Sequence, residues 1–297
     1  MVSSRYVPLS AAKAHCWGLN PCPSARETTT LTTKLSSLQD RCFVSVNKYK
    51  SFVKIYGFHV VWWCRNHVAF LDIGTREGAS LELDLTRKFG ALRAKFIQCD
   101  VSDEEQLFAA FQQVLDKYRR LDVVINNAAI LSVLGKSYKR MVDINFTATV
   151  NSTLKALEVM GVDNGGAGGS VVNISSLLAL NIGVHLPVYA ATKTAVLQFS
   201  ISMGVKQYNK TKVRVLTVCL GPTDTAILHR NSTDNFEIAQ PVKSRVAERQ
   251  KVSSAVNGIL TVIDQGTSGS TWVVHNDKPA YDFTEKIAQA FQTFSQN

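Results

Sequence analysis

From residue 67 onward, short apolar runs alternate with stretches of helical period, and this rhythm constrains the fold more than any other feature. Residues 67–73 (HVAFLDI), 94–99, 121–125 (LDVVI), 169–174 (GSVVNI), 213–219 (VRVLTVC) and 270–274 (STWVV) read as strands. Mostly apolar and without strict alternation, they suit a sheet covered on both faces. Between them, residues 77–89, 104–118, 137–160, 188–208 and 247–262 carry apolar positions at helical spacing. Strand and helix in strict alternation predict an α/β fold: a Rossmann-type, doubly wound parallel sheet with helices on both faces. The helix at 104–118 is expected to start after Ser102 as N-cap, with Glu105 three residues on. The 297 residues suffice to bury a large core, and no apolar run approaches the roughly 18 residues needed to cross a bilayer.

The net charge of +10 raises the question of nucleic acid or an anionic surface as partner. Its distribution argues against both. Residues 1–66 hold nine Lys or Arg against Glu27 and Asp40, so most of the excess sits in a Ser/Thr-rich leader with no basic platform interleaved with aromatics. The six cysteines form no C-x-x-C pair and read as reduced thiols of a cytoplasmic protein. The six histidines show no metal-ligand spacing, so no metal is expected. The opening residues lack the apolar stretch and small-residue cleavage site of a secretory signal.

The chemistry concentrates in the second half. Tyr189 and Lys193 are spaced four apart on one helix, which puts them on one face. A cation there stabilises a tyrosinate and so suits proton abstraction from an alcohol. The strand GSVVNISS ends at Ser175 and Ser176, upstream of that helix, where a loop can bring a hydroxyl beside the tyrosine.

GSVVNISS, PVYAATK and VCLGPTDTAI together resemble the core of the short-chain dehydrogenase/reductase family. Asn126-Asn127-Ala128-Ala129 resembles its N-N-A-G element, with Ala129 for glycine, and Asn145 falls where the family keeps a helix-embedded catalytic asparagine. Within the family the chain looks most like the 15-hydroxyprostaglandin dehydrogenases and the insect-type alcohol dehydrogenases. The resemblance implies an NAD-dependent oxidoreductase moving hydride between a secondary alcohol (a hydroxy-lipid, prostaglandin-like compound or small alcohol) and NAD, as a homodimer. It implies Tyr189 as general acid/base, Ser176 on the substrate oxygen, Lys193 on the nicotinamide ribose and Asn145 holding a relay water. Asp72 would accept from the adenosine ribose and disfavour a 2′-phosphate. Asp100 and Val101 would border the adenine, Asn127 and Ala128 would line the cofactor, and Pro222, Thr223 and Thr225 belong to the loop over the nicotinamide. Leu186 stands where the prostaglandin enzymes carry glutamine, which argues against prostaglandin itself, and residues 225–242 would form much of a substrate lid.

One departure is large. The family's T-G-x-x-x-G-I-G should precede Asp72 by about thirty residues on the βαβ scale, where its glycines let backbone N–H groups approach a pyrophosphate. Residues 1–66 contain only Gly18 and Gly57. The glycines of 165–169 precede a strand instead of following one, and read as a flexible loop. The first βα unit is therefore degenerate or missing, with residues 1–58 a disordered or misjoined non-family region and 59–297 the family domain. A misjoined exon or altered transcript accounts for such a region; an organelle-targeting leader is the alternative. Residues 42–46 (CFVSV) could supply a first strand with 48–57 as its helix, or 58–63 could form a hairpin with the next strand. An active dehydrogenase and a cofactor-deficient, non-catalytic relative are both open at this level.

Overall fold

The structure, a computed structural model, describes residues 42–46, 67–131, 137–182, 186–229 and 249–295, those of 42–46 by backbone alone. They all belong to one unit, Leu38–Asn297. In chain order it comprises β1 (Cys42–Val46), β2 (His67–Asp72), α1 (Thr75–Phe89), β3 (Ala94–Gln98), α2 (Glu104–Tyr118), β4 (Val123–Asn126) and α3 (Tyr138–Val142). A π-helical turn (Asp143–Thr147) joins α3 to α4 (Ala148–Met160). Then follow β5 (Gly169–Ser176), α5 (Pro187–Thr211), β6 (Val213–Leu220), α6 (Ala226–His229), α7 (Val252–Gln265), β7 (Thr271–Val274), β8 (Tyr281–Asp282) and α8 (Thr284–Ser295).

The strands form one sheet in the order β3-β2-β1-β4-β5-β6-β7-β8, parallel except for β8. The order reverses between β1 and β4, the switch point of a doubly wound Rossmann-type sheet, and ligands of such sheets bind beyond the carboxyl ends of the strands. Successive residues of β2 serve opposite faces. Ala69 and Leu71 pack with Leu107, Phe111 and Val114 of α2 and Ala148 and Ala156 of α4. Phe70 packs on the other side with Leu85 of α1 and Phe96 of β3. Burial on both sides is why these strands are apolar without alternation.

The two readings of the N-terminal part now separate. β1 lies between β2 and β4, parallel to both, with Val44 opposite Ala69 on one side and Val124 on the other. β2 is thus flanked by β1 and β3, and neither side is left for a hairpin partner. The helix expected over 48–57, the hairpin segment 58–63 and the boundary at 58/59 lie outside the described residues.

Local chemistry explains the remaining differences. Asp103, not Ser102, caps α2: its Oδ1 accepts from Gln106 N at 3.1 Å, and Gln106 Nε2 donates to its Oδ2 at 2.7 Å. Ser102 instead turns back to donate to Asp100 Oδ1 at 2.6 Å. The glycine run is no loose loop. Gly166 N donates to Gly161 O at 2.9 Å and Gly168 N to Met160 O at 2.8 Å. A Cβ on Gly166 would lie 2.3 Å from Met160 O, so only glycine lets the chain turn this tightly into β5. This turn sits at the amino end of β5, opposite the site edge. Among the described residues, no helix is long and apolar enough to cross a membrane.

Candidate active site

The expected residues gather at the carboxyl edge. Asp72 ends β2, Asp100 and Val101 follow β3, Asn127 and Ala128 follow β4, Ser176 ends β5, and Pro222, Thr223 and Thr225 follow β6. Tyr189 and Lys193 occupy the first two turns of α5, whose Pro187 fills the first helical position, where its missing N–H costs nothing.

Ser176 hydrogen-bonds Tyr189, and its Oγ also accepts from Leu178 N at 3.2 Å, capping the short 3₁₀ turn Leu177–Ala179. One serine thus both stops the strand and faces the phenol. Tyr189 is half-buried, and burial pushes its pKa up to about 12, with the Ser176 bond pulling the other way. Lys193 is buried at 3% exposure, and burial pushes its pKa down to about 8. Its Nζ lies 5.8 Å from the Tyr189 ring centre and donates to Ile174 O at 2.8 Å. At this separation the Ser176 hydrogen bond is the contact that lowers the Tyr189 pKa directly. Ser175, on the opposite side of β5, donates to Lys193 O at 2.8 Å and ties α5 to the strand.

Asn145 sits fully buried in the π turn. Its Oδ1 accepts from Ile130 N at 2.8 Å and its Nδ2 donates to Ile130 O at 3.0 Å, with Thr192 Oγ1 at 3.3 Å. The extra residue of a π turn displaces the backbone from the helical ladder, and such turns recur at functional sites. Asn145 thereby joins the segment after β4 to the helix bearing Tyr189.

The residues expected to face a cofactor are equally ordered. The Asp72 carboxyl is 6% exposed, accepts from Gly74 N at 2.8 Å, and is held above the usual carboxylate range by burial. Arg76, at the start of α1, is exposed. Asp100 Oδ1 accepts from Ser102 N at 3.0 Å, and Val101 is 1% exposed. Thr223 Oγ1 donates to Gly221 O at 3.0 Å and Thr225 Oγ1 to Thr223 O at 3.3 Å, folding the loop onto itself. Asn126, beside Asn127, is structural: its Nδ2 donates to Asn173 Oδ1 at 2.8 Å beneath the site.

These groups fit the two ends of a nicotinamide dinucleotide. An ammonium carries three donors, and Lys193 makes one hydrogen bond among the described residues, so ribose hydroxyls match the rest. Asp72 would offer an acid at the adenosine end. The pyrophosphate arm would follow β1, outside the described residues. Leu186 precedes α5 and is partly buried; of the expected lid, residues 230–242 lie outside the described residues. Among the described residues no group of three His, Cys, Asp or Glu could hold a metal. The sequence reading missed Thr192, Cys219 and Gln250 at this edge. Cys219 is a buried thiol hydrogen-bonded to Ser175 and close to Lys193, with its pKa pushed up by burial to about 12. Only its place at the end of an apolar strand hinted at it, and nothing in the sequence marks the other two.

A family model described as short chain dehydrogenase matches residues 65–235, more than half the chain. The chain belongs to this family of oxidoreductases. Among known proteins it is similar to 15-hydroxyprostaglandin dehydrogenase (NAD(+)) of Macaca fascicularis, 30% identical over 238 residues, which are 77% of this chain and 88% of that one. It is also similar to alcohol dehydrogenase 2 of Ceratitis cosyra, 31% identical over 187 residues, 58% of this chain and 72% of that one. Among solved structures, the NADPH-dependent 3-quinuclidinone reductase from Rhodotorula rubra superposes with a TM-score of 0.68 at 17% identity, covering 88% of this chain and 98% of that one. Levodione reductase does so at 0.67 and 17%, covering 80% and 97%. At such identity these two share the fold alone.

Proposed function

We propose that this chain is an NAD(H)-dependent dehydrogenase of secondary alcohols, with Ser176, Tyr189, Lys193 and Asn145 as its catalytic group. The observation that carries the reading is the meeting of Ser176 and Tyr189 by hydrogen bond at the carboxyl end of β5, with buried Lys193 one turn on. A bound nicotinamide supplies hydride acceptance or donation at the carbinol carbon. In the reducing direction Tyr189, protonated because burial raises its pKa, gives its proton to the substrate oxygen, while Ser176 holds that oxygen as its charge changes. In the oxidising direction Tyr189 takes the hydroxyl proton, which requires its pKa to fall; a charged Lys193 and the Ser176 bond both favour this.

Asp72 supports NAD over NADP, since an acid there repels a 2′-phosphate. The relatives' names support a hydroxy-lipid or small secondary alcohol as substrate. The buried thiol of Cys219 supports the cytoplasm. Exposed Leu154 on α4 and Val205 and Tyr208 on α5 support a homodimer through these helices.

Titration of the purified chain with NADH, followed by fluorescence, tests the reading. Saturable binding, followed by turnover of secondary alcohols that Tyr189→Phe abolishes without loss of binding, upholds it. No binding up to millimolar NADH overturns it in favour of a cofactor-deficient relative, and wild-type turnover by Tyr189→Phe overturns the mechanism.

A further inference from the structure

The loop after β6 leaves the sheet beside the catalytic serine: Leu220 pairs with Ser176, and a Cβ on Gly221 would lie 3.4 Å from Leu177 Cδ1. What holds this loop is distant in sequence. Gln250 is wholly buried and grips it by main chain and side chain. Its N–H donates to Pro222 O at 2.9 Å and its carbonyl accepts from Asp224 N at 3.0 Å. Its Nε2 donates to Thr223 Oγ1 at 2.9 Å and to Val274 O, the end of β7, at 3.1 Å. Val274 O can only accept, so the amide cannot be reversed. Gln250 Oε1 is buried without a donor among the described residues. Residues on either side strengthen the clamp: Arg249 Nη1 lies 3.6 Å from Asp224 Oδ1, and Lys251 N donates to Asp277 Oδ1 at 2.7 Å.

Resting on the proposed dehydrogenase reading, we infer that Gln250 is a positioning residue: through Thr223 it fixes the loop 221–225 against the end of β7 and so sets where the nicotinamide end of the cofactor lies relative to Tyr189. It touches neither substrate nor the reacting atoms. A buried side-chain amide costs desolvation that a plain packing role would avoid with an apolar residue. Here the amide spans two acceptors, Val274 O and Thr223 Oγ1, that no single apolar side chain could hold together. The hydroxyl of Thr223 continues the chain to Gly221 O, so the loop's shape depends on an unbroken relay of hydrogen bonds from β7 to β6.

The test compares wild type with Gln250→Met, of similar volume but without donors, and with Thr223→Val, which removes the same bond at a half-buried position should the methionine variant fail to fold. Two readouts are needed. Amide hydrogen exchange, measured without cofactor, should quicken at least tenfold for Asp224 in either variant while β5 and α5 stay protected. Affinity for NADH should fall about tenfold while affinity for ADP-ribose, which lacks the nicotinamide, stays within twofold; merely lost packing would weaken both alike. The double variant should lose no more than Gln250→Met alone. Unchanged exchange at Asp224, or equal losses for the two nucleotides, overturns the inference. A wild-type chain that binds neither nucleotide overturns the dehydrogenase reading and with it the cofactor-placing role, whereas quickened exchange alone would still assign the loop's restraint to Gln250.

Discussion

Replacing Lys193 by methionine tests whether the lysine is held in the fold against its own charge. Burial lowers its pKa from an ordinary 10.5 to about 8. At about 1.4 kcal/mol per tenfold, burying the ammonium costs the folded state roughly 3 kcal/mol at neutral pH. The bond to Ile174 O returns about 1.5–3 kcal/mol, as hydrogen bonds to charged groups do. Lys193→Met should therefore be at least as stable as wild type at pH 7. The decisive signature is its pH dependence. Between about 8 and 10.5 the unfolded chain binds the lysine proton and the folded chain does not, so wild-type stability gains as pH rises through that window. Proton linkage with these two values gives a gain of ~1 kcal/mol between pH 7 and pH 9. The variant lacks this term, so its stability advantage over wild type should shrink by that amount. Other titrations, such as Cys219 leaving its raised pKa, act on both proteins and largely cancel in the comparison. Urea denaturation at pH 7 and pH 9 measures the difference. A variant less stable than wild type by the same margin at both pH values would refute the claim that Lys193 is charged at a cost.

Three further outcomes are expected. Asn145→Ala leaves Ile130 N and O without their partner, and urea titration should find it destabilised by roughly 2 kcal/mol. Gly204→Ala would bring a Cβ to 2.3 Å from Gly269 N, where α5 meets the turn before β7, and should lose about 1–3 kcal/mol; an unchanged thermal midpoint would mean the backbone yields freely there. Asp72→Ser, titrated with both nucleotides at pH 8, should shift the binding preference from NADH towards NADPH by about tenfold, ~1.4 kcal/mol, and no shift would remove Asp72 from cofactor selection.

The sheet and its helices were legible because burial writes a period into the sequence. The helix read at 104–118 is α2 (Glu104–Tyr118), and the strands differ from their expected ends by one or two residues. What period cannot register is the choice among neighbouring polar groups. Ser102 and Asp103 are both good caps, and only the preference of Asp100 for Ser102 decides between them. The π turn around Asn145 leaves the helical pattern of 137–160 intact, so it was invisible. β8 went unread because it is two residues long and exposed on both. Of the site, Tyr189, Lys193 and Ser176 were readable because their spacing is local, by turn of helix or end of strand. Gln250 was not, since its partners Thr223 and Val274 lie 27 and 24 residues away and a lone glutamine carries no pattern.

The position of β1 has a bearing on how such a chain tolerates change. Pairing between backbones is blind to side-chain identity beyond a preference for branched and aromatic residues, which CFVSV satisfies. Any pentapeptide able to extend can therefore fill the middle of the sheet, whereas a glycine cradle for phosphate has no generic substitute. Deleting residues 42–46 would instead open two interior edges, those of β2 and β4, to any passing strand and make the sheet a template for aggregation.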